Sequence, residues 1–224
     1  MISAIILAGG KGTRMGANIS KQYIKLKGKP ILYYTIKRFS ESKDIDKIIL
    51  VLPKDEIDYC KEKVLDKYSL HVDLIVEGGK ERQDSVMNAL NELIDEEIVL
   101  IHDGARPLIE KNTIINNIET CKIFKTPVIT ITNIVDTIID KDYNLLDRNK
   151  LLSVQTPQTF MFYQINKLHQ KALKDNLINV SDDGQLAKKY GLNIKYVNGS
   201  RLNFKVTEKD DIKLFKLLLK EGEK

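Results

Sequence analysis

The chain predicts a three-layer α/β fold, a mostly parallel sheet with helices on both faces. Three observations predict it. Runs of four to six residues are apolar without interruption, they alternate with segments of helical spacing, and several end in glycine-rich or acidic breaks. Strands covered on both faces read as continuous apolar runs, not as an in-and-out alternation. At 224 residues one large domain or two small ones is possible. With no internal repeat or flexible linker, a single domain spanning residues 1–224 is expected.

The elements follow in order. Ile2–Leu7 reads as a buried strand, followed by a glycine-rich loop and a helix from Ile31 to Phe39 opened by Pro30. Ile48–Leu52 is a second apolar run closed by Pro53, and Asp55–Tyr68 has helical spacing with many charges. His71–Val76 is strand-like, Gly78-Gly79 is a break, and Ser85–Ile94 is an amphipathic helix. Ile98–Ile101 is apolar and ends in His102-Asp103-Gly104. A helix over Thr113–Phe124 then leads to the β-branched run Val128–Thr132. Asn133–Leu152 breaks the rhythm: it has turn residues (Asp140, Asp142, Asn144) but no apolar helical face. That segment is expected to be a projecting hairpin or arm, since structureless loops beyond about 12–15 residues are uncommon.

Composition excludes several classes. With 42% hydrophobic and 30% charged residues the chain is not disordered, and 12 Gly with 5 Pro rule out a collagen-like repeat. The formal net charge of +5 suits anionic small molecules without demanding nucleic acid. Cys60 and Cys121 lie in helical-looking segments without CxxC spacing, so they are expected to be buried and reduced in a cytoplasmic protein. The apolar start, Ile2–Leu7, is too short for a signal core and lacks a basic lead. No stretch approaches the roughly 20 apolar residues of a membrane span, so no membrane partner is expected.

Parallel sheets bind ligands at the carboxyl ends of their strands. The loops beginning at Ala8, Gly78 and Asp103 are therefore the ones to read for chemistry. In the first, Ala8-Gly9-Gly10-Lys11-Gly12-Thr13-Arg14-Met15-Gly16, glycines would let backbone N–H groups approach a phosphate. A dinucleotide fingerprint fails because Met15 stands where a glycine is needed and Leu52-Pro53 where an acid is needed. A Walker A loop fails as well. Of the 36 basic residues only six are Arg, and five of these (Arg14, Arg82, Arg106, Arg148, Arg201) lie in or beside loops. Arg offers a planar fork to phosphate, so a Lys-biased chain that keeps Arg there suggests use.

The glycine loop with Lys21-Gln22-Tyr23 resembles nucleotidyltransferases that load sugars and polyols onto nucleotides. Further blocks narrow the resemblance: Glu77-Gly78-Gly79-Lys80-Glu81-Arg82-Gln83-Asp84-Ser85-Val86, His102-Asp103-Gly104-Ala105-Arg106-Pro107, Asp136-Thr137, Asp147-Arg148 with Gln155-Thr156-Pro157-Gln158, and Asn203-Phe204-Lys205-Val206-Thr207. Together they resemble the 2-C-methyl-D-erythritol 4-phosphate cytidylyltransferase family, from about Ile2 to Leu218. The resemblance implies a Rossmann-like fold of the nucleotide-diphospho-sugar transferase type. It implies CTP and methylerythritol phosphate as substrates, CMP transfer with release of pyrophosphate, and a divalent cation, Mg2+.

Roles follow the same resemblance. Arg14 and Lys21 would be catalytic, and Asp103 would sit beside the metal. Ala8, Gly9, Gly10, Gly12, Thr13, Gly79, Lys80 and Ser85 would bind the nucleotide. Arg106, Thr137, Arg148, Thr156 and Lys205 would position the acceptor. Simpler readings stand beside these: Gly78-Gly79 as a turn, Ser85 as a helix N-terminal residue, Asp103 and Arg106 as a local ion pair, Ser181-Asp182-Asp183 as a helix cap. His102 is read as structural, and His71 and His169 receive no role. Gly104 stands where many relatives have Ala, an exchange expected to be silent; Leu202 replaces a residue often polar or acidic, which puts contacts there in question. The arm must bury its β-branched residues, among them Ile134, Val135, Thr137, Ile138 and Ile139, and a second copy of itself is the economical partner. A homodimer through 133–152 is therefore expected, with Thr137 and Arg148 serving the neighbour's site. The alternatives are a ribitol 5-phosphate cytidylyltransferase, whose members tend towards Ser-Val-Arg-Pro in place of Gly104-Ala105-Arg106-Pro107, and a nucleotide-binding regulator without catalysis.

Overall fold

A computed structural model describes residues 1–10, 20–178 and 180–221, without the side chains of Lys220 and Glu221. The chain runs β1 (Ile2–Leu7), β2 (Lys25–Leu26), β3 (Lys29–Pro30), α1 (Ile31–Ser40), β4 (Lys47–Leu52), α2 (Ile57–Cys60), β5 (Leu74–Glu77), α3 (Arg82–Asn91) and β6 (Ile98–Asp103). It continues through α4 (Lys111–Phe124), β7 (Val128–Asn133), β8 (Ile138–Ile139), β9 (Leu145–Leu146), β10 (Leu152–Met161), α5 (Phe162–Lys174), α6 (Asp183–Lys189), β11 (Lys195–Asn198) and α7 (Lys209–Glu221). Among the described residues one seven-stranded sheet has the order β11-β7-β10-β6-β1-β4-β5. Every neighbouring pair is parallel except the two made by β10.

The period of two along each strand sorts side chains into two cores. Ala4, Ile6, Leu50 and Leu100 face one side with Leu32, Ile36 and Phe39 of α1 and Ile114, Ile118 and Cys121 of α4. Ile5, Ile49, Val51, Val99 and Ile101 face the other with Val86, Ala89 and Leu90 of α3, and with residues of α5 and α6. This is the expected three-layer arrangement. A smaller cluster of Leu26, Ile31, Val206 and Phe215 docks α7 beside β2. Cys60 and Cys121 are buried free thiols, and burial pushes both up to about 12, so they are protonated packing groups.

Several element expectations are corrected. Asp55–Tyr68 is not one helix: a 3-10 turn (Lys54–Glu56) leads into α2 and then into π-helical turns over Lys61–Asp66. The wider π turn lets both Val64 and Leu65 follow Cys60 into the core. The strand expected from His71 begins only at Leu74, because the Asp73 carboxylate takes the Ile48 N–H (2.8 Å) and ends the ladder. Helix α3 starts three residues before Ser85, fixed by a capping box between Glu81 and Asp84.

Strand β10 is not among the elements read from the sequence, and a proline such as Pro157 is unusual in a central strand. It is central nonetheless: the ladder with β7 shifts register between Val154 and Gln158, and the proline sits inside that irregularity. Pairing only two residues each, β8 and β9 form a small separate hairpin within the segment 134–151. Its turn is held by Asp140, whose carboxylate accepts from Asp142 N (2.9 Å) and from Asn144 N (2.9 Å). Val135, Ile139, Tyr143, Leu145, Leu152 and Val154 around it are exposed.

Candidate active site

At the carboxyl ends of β1, β4, β5 and β6 the chain leaves a cleft of about 560 Å³. Backbone bonds frame it: Ala8 N donates to Val51 O (2.9 Å), Gly78 N to Leu52 O (2.8 Å) and Gly104 N to Leu7 O (2.8 Å). Each loop is thus tied to a neighbouring strand. Ala8, Gly9, Gly10, Lys21, Gly79, Lys80, Ser85, Asp103 and Lys205 all line it, so the structure brings these sequence-predicted residues together. Gly12, Thr13 and Arg14, with Lys11, Met15 and Gly16, lie outside the described residues.

Glycine is needed at 79, where a Cβ would fall 2.2 Å from that of Asp84. Gly79 N donates to Ser85 Oγ (3.0 Å), and that hydroxyl donates to Glu81 O (3.1 Å). Gly104 corrects an expectation. A Cβ there would lie 3.0 Å from Leu7 O and 3.2 Å from Ala8 Cβ, so alanine requires the end of β1 to give by a few tenths of an ångström. The exchange is not sterically silent.

A second cavity of about 180 Å³ shares Arg82, Asp103 and Lys205 with the first and adds Arg106, Gln155, Thr156 and Gln158. Asp103 Oδ2 lies 3.0 Å from Lys205 Nζ and 3.3 Å from Arg106 Nε, and Oδ1 lies 3.9 Å from Arg82 Nε. Burial pushes the Asp103 carboxyl up, but Lys205, Arg82 and Arg106 outweigh it and hold the group well below the usual carboxylate range. It is an anion in a cationic ring. The local ion pair with Arg106 is therefore real and coexists with a place on both cavity walls.

Behind Asp103 a relay fixes the strand end. Asp103 N donates to Thr156 Oγ1 (3.0 Å), Thr156 donates to His102 Nδ1 (3.0 Å), and His102 Nε2 donates to Arg106 O (3.1 Å). The tautomer follows from the partners, because a carbonyl only accepts. Burial pushes His102 down to about 4, so the ring is neutral and structural, as the sequence suggested. Asn203, fully buried, donates its side-chain N–H to Thr156 O (2.8 Å), while its backbone carbonyl accepts from Arg106 Nη1 (2.8 Å).

Sequence reading missed one arm of this network. Arg82 Nη1 donates to Asp183 Oδ2 (2.7 Å), and Asp183 Oδ1 meets His169 Nε2 (2.9 Å) deep in the protein. His169 thus has a partner after all. Burial raises the Asp183 carboxyl, but Arg82 and His169 bring it down to about 2. Asp182 caps α6 through Gln185 N (2.8 Å), as the helix-cap reading had it. The available signal was Arg82 itself, one of the few arginines placed in a loop block. Leu202 is half-exposed, and Asn203 and Lys205 make their contacts irrespective of it.

Thr137 and Arg148 are not brought to the cleft. Both are exposed in the hairpin segment, where Arg148 Nη1 donates to Val135 O. Among the described residues five cations line the larger cavity (Lys21, Lys54, Lys80, Arg82, Lys205) against two carboxylates (Glu81, Asp103), a balance that favours anions. Among the described residues no three His, Cys, Asp or Glu side chains cluster as a metal cage. Among the described carboxylates at the cleft, Asp103 is the one shared by both cavities, and its neighbouring cations keep its hard oxygens ionised. That suits a hard divalent ion held mainly by a ligand's own phosphates, the usual habit of Mg2+.

Space for a nucleotide, surplus positive charge and glycine-rich backbone at a strand end make this a site for moving phosphate-linked groups; the class is an α/β nucleotidyltransferase. The chain belongs to the IspD family, 2-C-methyl-D-erythritol 4-phosphate cytidylyltransferase, whose sequence profile matches residues 2–221. A protein of that name from Clostridium novyi is 47% identical over 221 residues, 96% of this chain and 95% of the relative. Its namesake from Clostridium beijerinckii is also 47% identical, over 98% of this chain and 99% of its own. The crystal structure of 4-diphosphocytidyl-2C-methyl-D-erythritol synthase from Anaerococcus prevotii superposes with a TM-score of 0.84 at 34% identity, covering 98% of this chain and 96% of that one.

Proposed function

We propose that this cleft transfers CMP from CTP to 2-C-methyl-D-erythritol 4-phosphate, a step of non-mevalonate isoprenoid synthesis. An acceptor phosphate oxygen attacks the α-phosphorus of CTP, the bond to the β-phosphate oxygen breaks, and its electron pair leaves on pyrophosphate. A phosphate monoester has a second pKa near 6, so the nucleophile is mostly ionised at neutral pH and no general base is required. What the reaction needs is fixed positive charge, because anion attacks anion and charge grows on the leaving group. The cation-lined pair of cavities meeting at Asp103 is the observation that carries this reading.

Lys21 and Arg14 would stabilise the developing charge, the second by family resemblance alone. Gly9, Gly10 and Gly79 would present backbone to the nucleotide. Lys205, Arg106 and Thr156 border the smaller cavity, which suits the acceptor phosphate. Mg2+, if bound by Asp103 and the triphosphate, would supply further charge neutralisation. Thr137 and Arg148 would reach a site only in a homodimer, which the exposed apolar hairpin supports. The two free, buried thiols fit a reducing cytoplasm, and among the described residues no helix is long and apolar enough to cross a membrane.

The test is pyrophosphate release from CTP and Mg2+ with methylerythritol phosphate or ribitol 5-phosphate as acceptor. Release with the first and little with the second is expected. Release with ribitol phosphate alone selects the other acceptor, and no release with either defeats the enzyme reading.

A further inference from the structure

Lys21 stands between two residues held by one carboxylate. The 3-10 turn Lys54–Glu56 leaves the end of β4 and carries Glu56 beside the segment that follows the glycine loop. Glu56 Oε1 accepts from Ser20 Oγ, and Glu56 Oε2 accepts from Gln22 Nε2 at 2.7 Å. The second N–H of the Gln22 amide donates to Ala8 O at 2.8 Å, at the start of the glycine loop itself. Gln22 is 2% exposed and Tyr23 4%, the latter ring edge-on to Tyr59 at 4.9 Å. Residues 20, 22 and 23 are therefore all anchored on the segment after β4. Of the four, Lys21 and Gln22 line the cleft; the Gln22 amide is held at both ends of its N–H pair, while Lys21 Cε lies 3.9 Å from where a Gly10 Cβ would stand.

We propose that Glu56 is a positioning residue: it grips Ser20 and Gln22 so that Lys21 and the Ala8 carbonyl keep a fixed spacing across the cleft. The inference rests on the function proposed above and gives that site a part no sequence block contained. A long flexible lysine is a good preorganised charge only if its backbone is fixed, and small misplacements of a reacting group can cost about a hundredfold. Geometry, not the negative charge of Glu56, carries the effect. A carboxylate near a transition state that gathers negative charge would by itself be unfavourable.

The charge and geometry accounts rank variants in opposite orders. Glu56→Asp keeps the charge but is one methylene too short to hold both partners. Glu56→Gln loses the charge but keeps the reach, its carbonyl accepting from Gln22 and its NH2 donating to the Ser20 hydroxyl. We expect kcat to fall by about tenfold or more in Glu56→Asp and Glu56→Ala, with KM for the acceptor and calorimetric CTP affinity nearly unchanged. Glu56→Gln should restore most of the rate. In a Lys21→Ala background Glu56→Ala should cost little more, because the residue acts through Lys21. Amide hydrogen exchange over residues 20–24 should quicken in Glu56→Asp and not in Glu56→Gln.

Equal losses in the Gln and Asp variants, full additivity with Lys21→Ala, or unchanged exchange at 20–24 would overturn the proposal. The exchange measurement needs no turnover, so it judges the clamp even if the wild-type protein releases no pyrophosphate and the reading of the reaction falls instead. The Asp and Gln variants retain a polar side chain and test the proposal if Glu56→Ala does not fold.

Discussion

Two titratable side chains at the end of β6 have opposite tasks. Asp103 is kept ionised by three cations, whereas its neighbour His102 is kept neutral by burial. The His102 pKa falls from the ordinary 6.5 to about 4 on folding, so between those values the unfolded chain binds more protons. Its contribution is therefore complete above pH 6.5 and is lost as pH falls towards 4, on the order of 3 kcal/mol in all. Asp103 has a depressed pKa and keeps its contribution until below its ordinary value near 3.8. Urea midpoints measured at pH 7.5, 6.5, 5.5 and 4.5 should fall steadily over the last three points, and His102→Gln should flatten that fall. A wild-type midpoint constant from pH 7.5 to 4.5 would contradict the buried neutral imidazole. At this scale much of the site was legible: glycine, Lys, Arg and Asp at predicted strand ends point to phosphate chemistry by residue type. The Asp183–Arg82–His169 chain was not legible, because its members are brought together only by folding.

Elements explain why. Helices α3 and α6 meet through Arg82 and Asp183, 101 residues apart in sequence, and α5 supplies His169. Local periodicity cannot report such a pairing. Removing one partner of a buried pair strands the other charge, so Asp183→Asn should cost about 3 kcal/mol in urea unfolding. Arg82 would then turn fully to Asp103, 3.9 Å away; a loss below about 0.5 kcal/mol would show that the pair is not structural. The strands β1, β4 and β6 were readable because burial on both faces leaves a nearly continuous apolar run, and β7 because its run 128–132 is β-branched. By contrast, β10 was hidden by Pro157 and by polar residues such as Gln155, Thr156 and Gln158, which are buried yet hydrogen-bonded. The same polar residues that obscure the strand form the wall of the smaller cavity. Function thus interrupted the pattern that would have revealed structure.

For the whole molecule, the exposed hairpin between β7 and β10 carries apolar side chains that join none of the cores among the described residues, and two predicted acceptor residues on it line neither cavity. The proposed symmetric dimer would account for both. Lys21→Ala and Arg148→Ala, each nearly inactive alone, should regain activity when co-refolded. Random pairing makes half the dimers mixed, each with one intact site of two, so about a quarter of wild-type activity is expected. Activity no higher than that of the separate variants would mean each chain builds its site alone, and a monomer in sedimentation would end the idea sooner.

In the proposed mechanism the cleft would accelerate transfer by holding positive charge where negative charge develops, with Lys21 as a principal source. The direct measurement is kcat and CTP affinity of Lys21→Ala beside the wild-type protein, with methylerythritol phosphate and Mg2+. Removing one preorganised stabiliser should lower kcat by at least about a hundredfold while calorimetric CTP affinity changes little. An unchanged kcat with weakened CTP binding would contradict the claim, because Lys21 would then only hold the ground state.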